Sequence, residues 1–391
     1  MLRNYHLRVN LRHHEVCVYR FAKYLIPSLL LAAAALISFV SAQDDGTLAG
    51  PKPYKFVLGP ELKGDEAKNA VVKPAFKAVA DDQFDYEVYF NVRRSGGTSQ
   101  GGAGGFSRSE TWTALCNLLL EENELAGRKD LRAAFRYDTL LFDLSDGESD
   151  YSGYIGPASG DGPARKSATF WKVGNDGART TAYAIPGWSG VSSNGVEGAR
   201  STQSVGANAS AWFSVSGSGR LYDEVYFAEY DSADQRNFPA RLLDPVHIAL
   251  GLMPEFSADA SVQLGGSTTV RRRMPMGSLP GATVEYDVTY TLEKVYGTQA
   301  DPTCAQFKFS AKPVVVAQST DLDAKWSIRF DAPEIVEGLL VYDLVKGVAA
   351  VVRYKYALKG ELVGRGSGAS TSSFACEAEF SASLRKESKT K

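Results

Sequence analysis

The sequence predicts a mainly β protein: antiparallel meander sheets forming two curved halves, a sandwich or partly open barrel, with short helices only. Three observations carry this. In the stretch 283–295 (TVEYDVTYTLEKV) residues alternate from Thr283 to Glu293, with Val284, Tyr286, Val288, Tyr290 and Leu292 on one side and Glu285, Asp287, Thr289, Thr291 and Glu293 on the other. Alternation at period two, with β-branched and aromatic residues on one side, marks a half-buried strand. The same pattern returns at 84–92 (FDYEVYFNV) and in a series of segments running to the C-terminus. Short turns separate that series, and no long helical pattern interrupts it.

The N-terminus sets the compartment. Arg3, Arg8, Arg12, Arg20 and Lys23, opposed only by Glu15, precede an apolar run at 25–40, and Val40-Ser41-Ala42 supplies small residues for cleavage. This is the tripartite form of a secretory signal peptide over 1–42. The basic leader is long, and the stretch from Tyr24 to Ala42 has the length of a bilayer span, so retention as an anchor is the second outcome. In either case the chain after Ala42 lies in the periplasm or outside the cell. The membrane is a partner only through this segment, if it stays uncleaved. No cysteine stands at the cleavage point for a lipid anchor.

Composition narrows the chemistry. Removing the leader's five basic residues and one acidic residue takes the formal net charge from −2 to −6. Mild acidity over a long chain favours solubility and argues against nucleic acid as a partner. Of the 4 histidines, His6, His13 and His14 lie in the leader, leaving His247 alone. A multi-histidine metal site is thereby excluded, and any triad must pass through that residue. Cys116, Cys304 and Cys376 follow the leader. With an odd number at least one thiol is free. Cys376 shares the apolar side of its strand with Phe374, Ala378 and Phe380, whereas Cys304 falls on the polar parity of its own. The expectation is therefore three free thiols.

Taken in order, residues 43–82 read as an extended lead-in with one short strand at 54–58. A first β-rich half follows over 83–255. The tract 95–107 (SGGTSQGGAGGFS) reads as a loop tip and lacks the Lys-Ser/Thr ending of a P-loop. Residues 112–120 fit a helix face or a strand face; the polar turn at 121–127 and the strand-like 131–144 favour a hairpin. The acidic turn with Asp143, Asp146, Glu148 and Asp150 is a weak calcium candidate, because its spacing departs from the D-x-D-x-D-G loop; a solvated turn is the simpler reading. Residues 152–217 form a Gly/Ser-rich insertion that holds Trp171, Trp188 and Trp212. Those indoles either fasten the loop to the sheet or form a stacking platform for a ligand. Asn208-Ala209-Ser210 matches a glycosylation sequon.

His247 sits in an apolar run on a short helix opened by Asp244-Pro245, where a histidine is more often a core residue than a catalyst. The second β-rich half covers 256–391. Arg271-Arg272-Arg273 reads as the solvated end of an edge strand, the tract 364–373 as a turn, and 385–391 as a frayed charged tail.

One further feature is the order of these pieces: RYDTLLFDLSDGESDYSG (136–153), SVSGSGRLYDEVY (214–226), a short helix ending in GLMP (251–254), then TVEYDVTYTLEKV. This order resembles an uncharacterised family of exported bacterial β-rich proteins of unknown function, often read as envelope proteins. The resemblance spans 84–384 and implies fold and compartment. It implies no catalytic residue, and two features depart from its pattern, the long Gly/Ser insertion and the missing lipid anchor.

No G-x-S-x-G elbow, H-E-x-x-H helix, Cys/His metal spacing or dinucleotide fingerprint is present, so no catalytic residue and no cofactor is assigned. The expectation is a non-enzymatic envelope or extracellular protein that binds a ligand or protein partner across a sheet face, with Trp171, Trp188 and Trp212 as contacts. The alternative is a carboxylate-based hydrolase of envelope polysaccharide, using acids around 143–150, since such an enzyme needs only two acids. N-terminal sequencing of exported material checks the leader. Gln43 is the expected first residue, and a membrane-retained chain beginning upstream would replace the soluble form.

Overall fold

Fifteen strands hydrogen-bond into one antiparallel sheet. The computed structural model describes residues 53–98, 106–123, 130–145, 149–157, 166–182, 210–227, 251–273, 283–317, 326–331, 334–364 and 371–385. They belong to the unit spanning 51–391; the leader lies outside the described residues.

In chain order, a helix α1 (Gly64–Asn69) and a short strand β1 (Val71–Val72) precede β2 (Gln83–Thr98), β3 (Phe106–Glu122) and β4 (Leu131–Ser145). Then come β5 (Asp150–Pro157), β6 (Lys166–Val173), β7 (Arg179–Ala182), β8 (Ser210–Val215) and β9 (Leu221–Phe227). The second stretch comprises β10 (Val262–Gln263), β11 (Ser267–Arg273), β12 (Thr283–Gly297) and β13 (Pro302–Ala317). It ends with β14 (Trp326–Asp331), β15 (Ile335–Asp343), β16 (Val348–Gly364) and β17 (Thr371–Leu384). The sheet order is β11-β12-β13-β15-β16-β17-β2-β3-β4-β5-β6-β7. Two meanders thus meet where the last strand, β17, pairs with β2 from Ser372↔Thr98 to Leu384↔Tyr86. Among the described residues β11 and β7 do not pair with each other, so the sheet is open.

Two long strands each serve two partners on one edge. Residues 348–354 of β16 pair with β15, and residues 359–364 pair with β14. Residues 131–136 of β4 pair with β8, and residues 140–145 pair with β5. The handover in β4 coincides with a register shift against β3 at Leu115/Cys116, where an extra residue bends the strand.

Alternation sends every second residue to one buried face, and there the registers align side chains across the whole sheet. One row runs Thr268, Tyr290, Phe309, Gly338, Tyr354, Phe380, Phe90, Trp112, Phe142, Gly153, Phe170, Ala182. Its rings touch their neighbours: Tyr290–Phe309 at 5.7 Å, Phe309–Tyr354 at 6.1 Å and Tyr354–Phe380 at 5.1 Å between centroids. The contacts continue with Phe90–Phe380 at 4.9 Å, Trp112–Phe142 at 4.9 Å and Phe142–Phe170 at 5.6 Å. Each such pair contributes about 0.5–1.5 kcal/mol beyond the area it buries. The two glycines have a steric cause. A Cβ at Gly338 would lie 2.3 Å from the Phe309 ring, and one at Gly153 would lie 2.2 Å from the Phe142 ring. Small residues flank the row at the β17–β2–β3 seam: Ala382, Val88 and Ala114 on one side, Ala378 and Val92 on the other.

The lead-in differs from expectation. Residues 54–58 form no strand. Instead 53–83 is a packed strap across the strand ends. Leu62 N–H donates to Val295 O, Gly297 N–H to Pro60 O and Lys77 N–H to Lys346 O, while β1 pairs with β10. Phe76 packs at the β8–β9 turn, where a Cβ on Gly219 would come within 3.1 Å of it, so the strap joins both stretches of the sheet. At its start, the Tyr54 hydroxyl donates to the buried Asp343 carboxylate at 2.8 Å. Asp343 also takes the Val345 and Lys346 N–H groups, and Lys346 Nζ pairs with Asp82 at 2.6 Å.

Other expectations are corrected too. The Gly/Ser tracts are partly strand: Ser95–Thr98 extends β2, Phe106–Ser107 opens β3, Gly364 ends β16, and Thr371–Ser373 opens β17. The insertion 152–217 contains β6, β7, β8 and most of β5. Arg272 is not a solvated edge residue: it is buried and donates to Met253 O at 3.4 Å, while Arg271 pairs with Asp287 outside. Cys304, assigned by parity to the polar side, is buried. The hairpin at 112–144 and every strand expected after 283 are present. All three described cysteines are free thiols; burial, and then the Asp343 charge, push the Cys304 thiol up to about 12.

Gly338 therefore tests the ring row. Gly338→Ala is expected to cost about 1–3 kcal/mol by overpacking against Phe309. Phe309→Leu in the same chain should restore part of that loss, as read in urea unfolding of the single and double variants.

Candidate functional site

A strand that sends Phe142, Tyr151 or Phe170 to the buried face must send its next residue to the outer face. At the β4–β7 corner that rule assembles two adjacent outer rows. One is Thr111–Asp143–Ser152–Trp171–Thr181, and the other is Ser109–Ser145–Asp150–Val173–Arg179. Neighbouring positions in a row are about 4.8 Å apart, the strand spacing. Asp143 and Asp150 are diagonal neighbours, roughly 7 Å apart at Cβ.

Trp171 is half-buried on this face, and the Arg179 guanidinium sits over its ring, 5.4 Å from the centroid. The hairpin that brings them together is built by Gly174–Ala178. Gly174 N–H donates to Ala178 O, the Asp176 carboxylate takes the Ala178 N–H at 2.9 Å, and Gly177 has φ 82°. A positive φ there suits only glycine without strain. Ser152, although on the outer face, is 5% exposed, and its hydroxyl has no hydrogen-bond partner.

Asp143 keeps a solvent-facing surface, yet the protein mass on its sheet side raises its carboxyl above the ordinary carboxylate value. Arg179 pulls the value back and Asp150 pushes it up again. The patch therefore combines a half-buried indole, a planar cation over it and two carboxylates, with the Ser152 hydroxyl closed off beneath them. Such a set can stack on a ring and exchange hydrogen bonds with polar substituents around it.

Of the residues expected from sequence, Trp171, Asp143 and Asp150 come together here. Trp212 lies in β8, on the other part of β4. Trp188, His247, Asn208, Asp146 and Glu148 lie outside the described residues. Among the described residues no group of three His, Cys, Asp or Glu side chains is placed to hold a metal ion. Arg179 and Ser152 were not singled out from sequence. The signal for Arg179 is the Asp176-Gly177 pair between two short alternating segments, which predicts a hairpin and hence a residue facing Trp171. Nothing local marks Ser152.

A second polar cluster, formed by Tyr54, Asp82, Asp343 and Lys346, is structural. Its groups satisfy one another, and they hold the strap and the β15–β16 turn together.

No protein-family model matches this sequence, and no curated protein is similar to it. Similar solved structures include a deltaS2 mutant of the TodX monoaromatic hydrocarbon channel. It has a TM-score of 0.15 and 9% identity, over 77% of this chain and 89% of that chain. A deltaS2S3 mutant of the same channel also has a TM-score of 0.15 and 9% identity, over 83% of this chain and 99% of that one. Likeness at that level implies nothing about this chain's function.

The raised Asp143 value has a stability consequence. The folded protein holds this proton more tightly than the unfolded chain, so the contribution favours folding below the ordinary carboxylate range and fades as pH rises through the raised value. Asp143→Asn is therefore expected to raise the unfolding temperature more at neutral pH than at acid pH. Paired thermal melts of both proteins across that range check it.

Proposed function

We propose that this chain is a non-enzymatic extracytoplasmic protein that binds an envelope ligand through the outer face of β4–β7. The observation that carries the reading is Trp171, a half-buried indole on an outer sheet face that also carries Leu141, Tyr154 and Val173, capped by Arg179 and sharing that face with Asp143 and Asp150. Recognition surfaces favour tryptophan as an amphipathic anchor. The leader at 1–42 and the envelope-protein resemblance support the compartment. Mild acidity disfavours nucleic acid as the ligand.

One observation favours a second reading, a carboxylate-based hydrolase of envelope polysaccharide. Asp143 has the higher proton affinity expected of a general acid, and Asp150 stands as a second carboxylate beside it. A single experiment separates the two. Purified full chain is incubated with insoluble envelope material from its source and sedimented. The binding reading expects the protein in the pellet, Trp171→Ala in the supernatant, and no new reducing ends in solution. Release of reducing ends, lost in Asp143→Asn, would establish the hydrolase. Wild type and Trp171→Ala sedimenting alike would remove this face as the contact surface.

A further inference from the structure

We propose that the strap is a hinged cover: it undocks as one unit about the turn at 79–82, with the sheet still folded, and uncovers an outer row made by Tyr296, Cys304 and Asp343. A residue next to a buried one along a strand faces the other side of the sheet. Yet Val295 and Tyr296, Cys304 and Ala305, and Tyr342 and Asp343 are neighbours in sequence and all buried, so both faces of the sheet are covered at this end. Tyr296 pairs with Cys304 and Cys304 with Asp343, which places the three in one outer row. The strap supplies the cover. Glu61 bridges to Tyr296, and the Tyr54 hydroxyl donates to Asp343.

The cover is held by polar grips, and both of its ends use the same turn. Tyr54 holds Asp343 at one end, and Lys346 Nζ lies 5.7 Å from the Tyr54 ring centroid. At the other end Lys77 N–H donates to Lys346 O, Lys77 Nζ donates to Leu344 O at 2.9 Å, and Lys346 Nζ pairs with Asp82. Such bonds are exchanged for bonds to water on opening, so releasing them costs less than uncovering an apolar core. Between the grips most strap residues are exposed, and three of the buried ones, Ala67, Ala70 and Ala78, are alanines. The helix α1 inside the strap has no side-chain cap at its N-terminus. A segment with few buried apolar contacts opens at a lower free energy than the strands it rests on.

The hinge is marked by Asp81. Its φ of 70° makes it the one non-glycine residue at positive φ among the described residues. Aspartate visits that region at a modest cost, so the chain turns sharply there, one step from β2. Rotation at so few residues re-aims everything before them, while Asp81 N–H and Leu120 N–H, bonded to Leu120 O and Asp82 O, keep the start of β2 in place.

Cys304 reports the opening. Burial and the Asp343 charge hold its thiol un-ionised under the closed strap, whereas Cys116 and Cys376 lie on the inner face with the ring row. The test is pulse labelling of the full chain with N-ethylmaleimide in sub-denaturing urea, each cysteine being followed by peptide mass mapping. Cys304 is expected to label faster than Cys116 and Cys376 and with a shallower dependence on urea, because undocking the strap exposes far less surface than unfolding the sheet. Tyr54→Phe removes only the hydroxyl that grips Asp343 and should speed Cys304 labelling about tenfold. Gly338→Ala loosens the ring row and not the strap. It should speed Cys116 and Cys376 and leave Cys304 unchanged. Equal urea slopes for the three thiols would overturn the proposal, as would a Cys304 rate indifferent to Tyr54→Phe or raised with the others by Gly338→Ala. Should Gly338→Ala not fold, the wild-type slopes and Tyr54→Phe decide alone.

Discussion

A row of packed rings running across ten strands is what the rest of this structure depends on. Eight aromatic side chains and two glycines share one register level from Tyr290 to Phe170. A slip of one residue in any strand would carry its ring to the outer face and leave a hole between its neighbours. The same constraint places the outer surface. Asp143, Ser152 and Trp171 each follow or precede a member of the buried row by one residue, so the row that packs the core also aligns the candidate patch. Core and site are two faces of one register.

The topology explains how so wide an open sheet is held with no disulfide among the described residues. Its first and last long strands pair at the centre of the sheet, which ties the two meanders through a ladder of thirteen aligned residue pairs. The strap then joins the turns at one end. Gly347 lets it pass close, since a Cβ there would lie 2.3 Å from Ala75 O, and its φ of 77° would strain any other residue. Buried polar groups along the strap are paired, as the Tyr54–Asp343 and Lys346–Asp82 contacts are. Cys116, Cys304 and Cys376 contribute as small apolar residues inside the core.

Much of this was legible in the sequence where large apolar residues alternate. The segments at 84–92, 283–295 and 350–358 contain enough aromatic and β-branched residues for the period to stand out. The pairing of β17 with β2 was not legible, because it joins residues nearly three hundred positions apart and neither strand names its partner. The strands inside the Gly/Ser-rich segment were missed for a different reason. Serine, alanine and glycine on the buried side give no contrast with serine and threonine outside: Gly153 is buried in the ring row because it is small, and by composition it reads as loop. The strap was misread because its anchors, such as Leu62 and Ala70, are spaced by the turns they cross and follow no period.

The site was half visible for the same reason. Tryptophan in a polar segment drew attention to Trp171, and closely spaced carboxylates drew attention to Asp143 and Asp150, but only the registers of β4, β5 and β6 bring the two features into one lattice. Their position on the lattice also bears on what they do. General acid catalysis draws its force from groups held away from bulk water, where charge interactions are strong. Asp150 is exposed and Asp143 keeps a solvent-facing surface, so their fields are screened by water. Binding makes the opposite demand. An extended polymer needs a face it can lie along, with a stacking platform and hydrogen-bonding groups repeated at strand spacing. On the proposed binding reading, the described outer face of β4–β7 is such a surface.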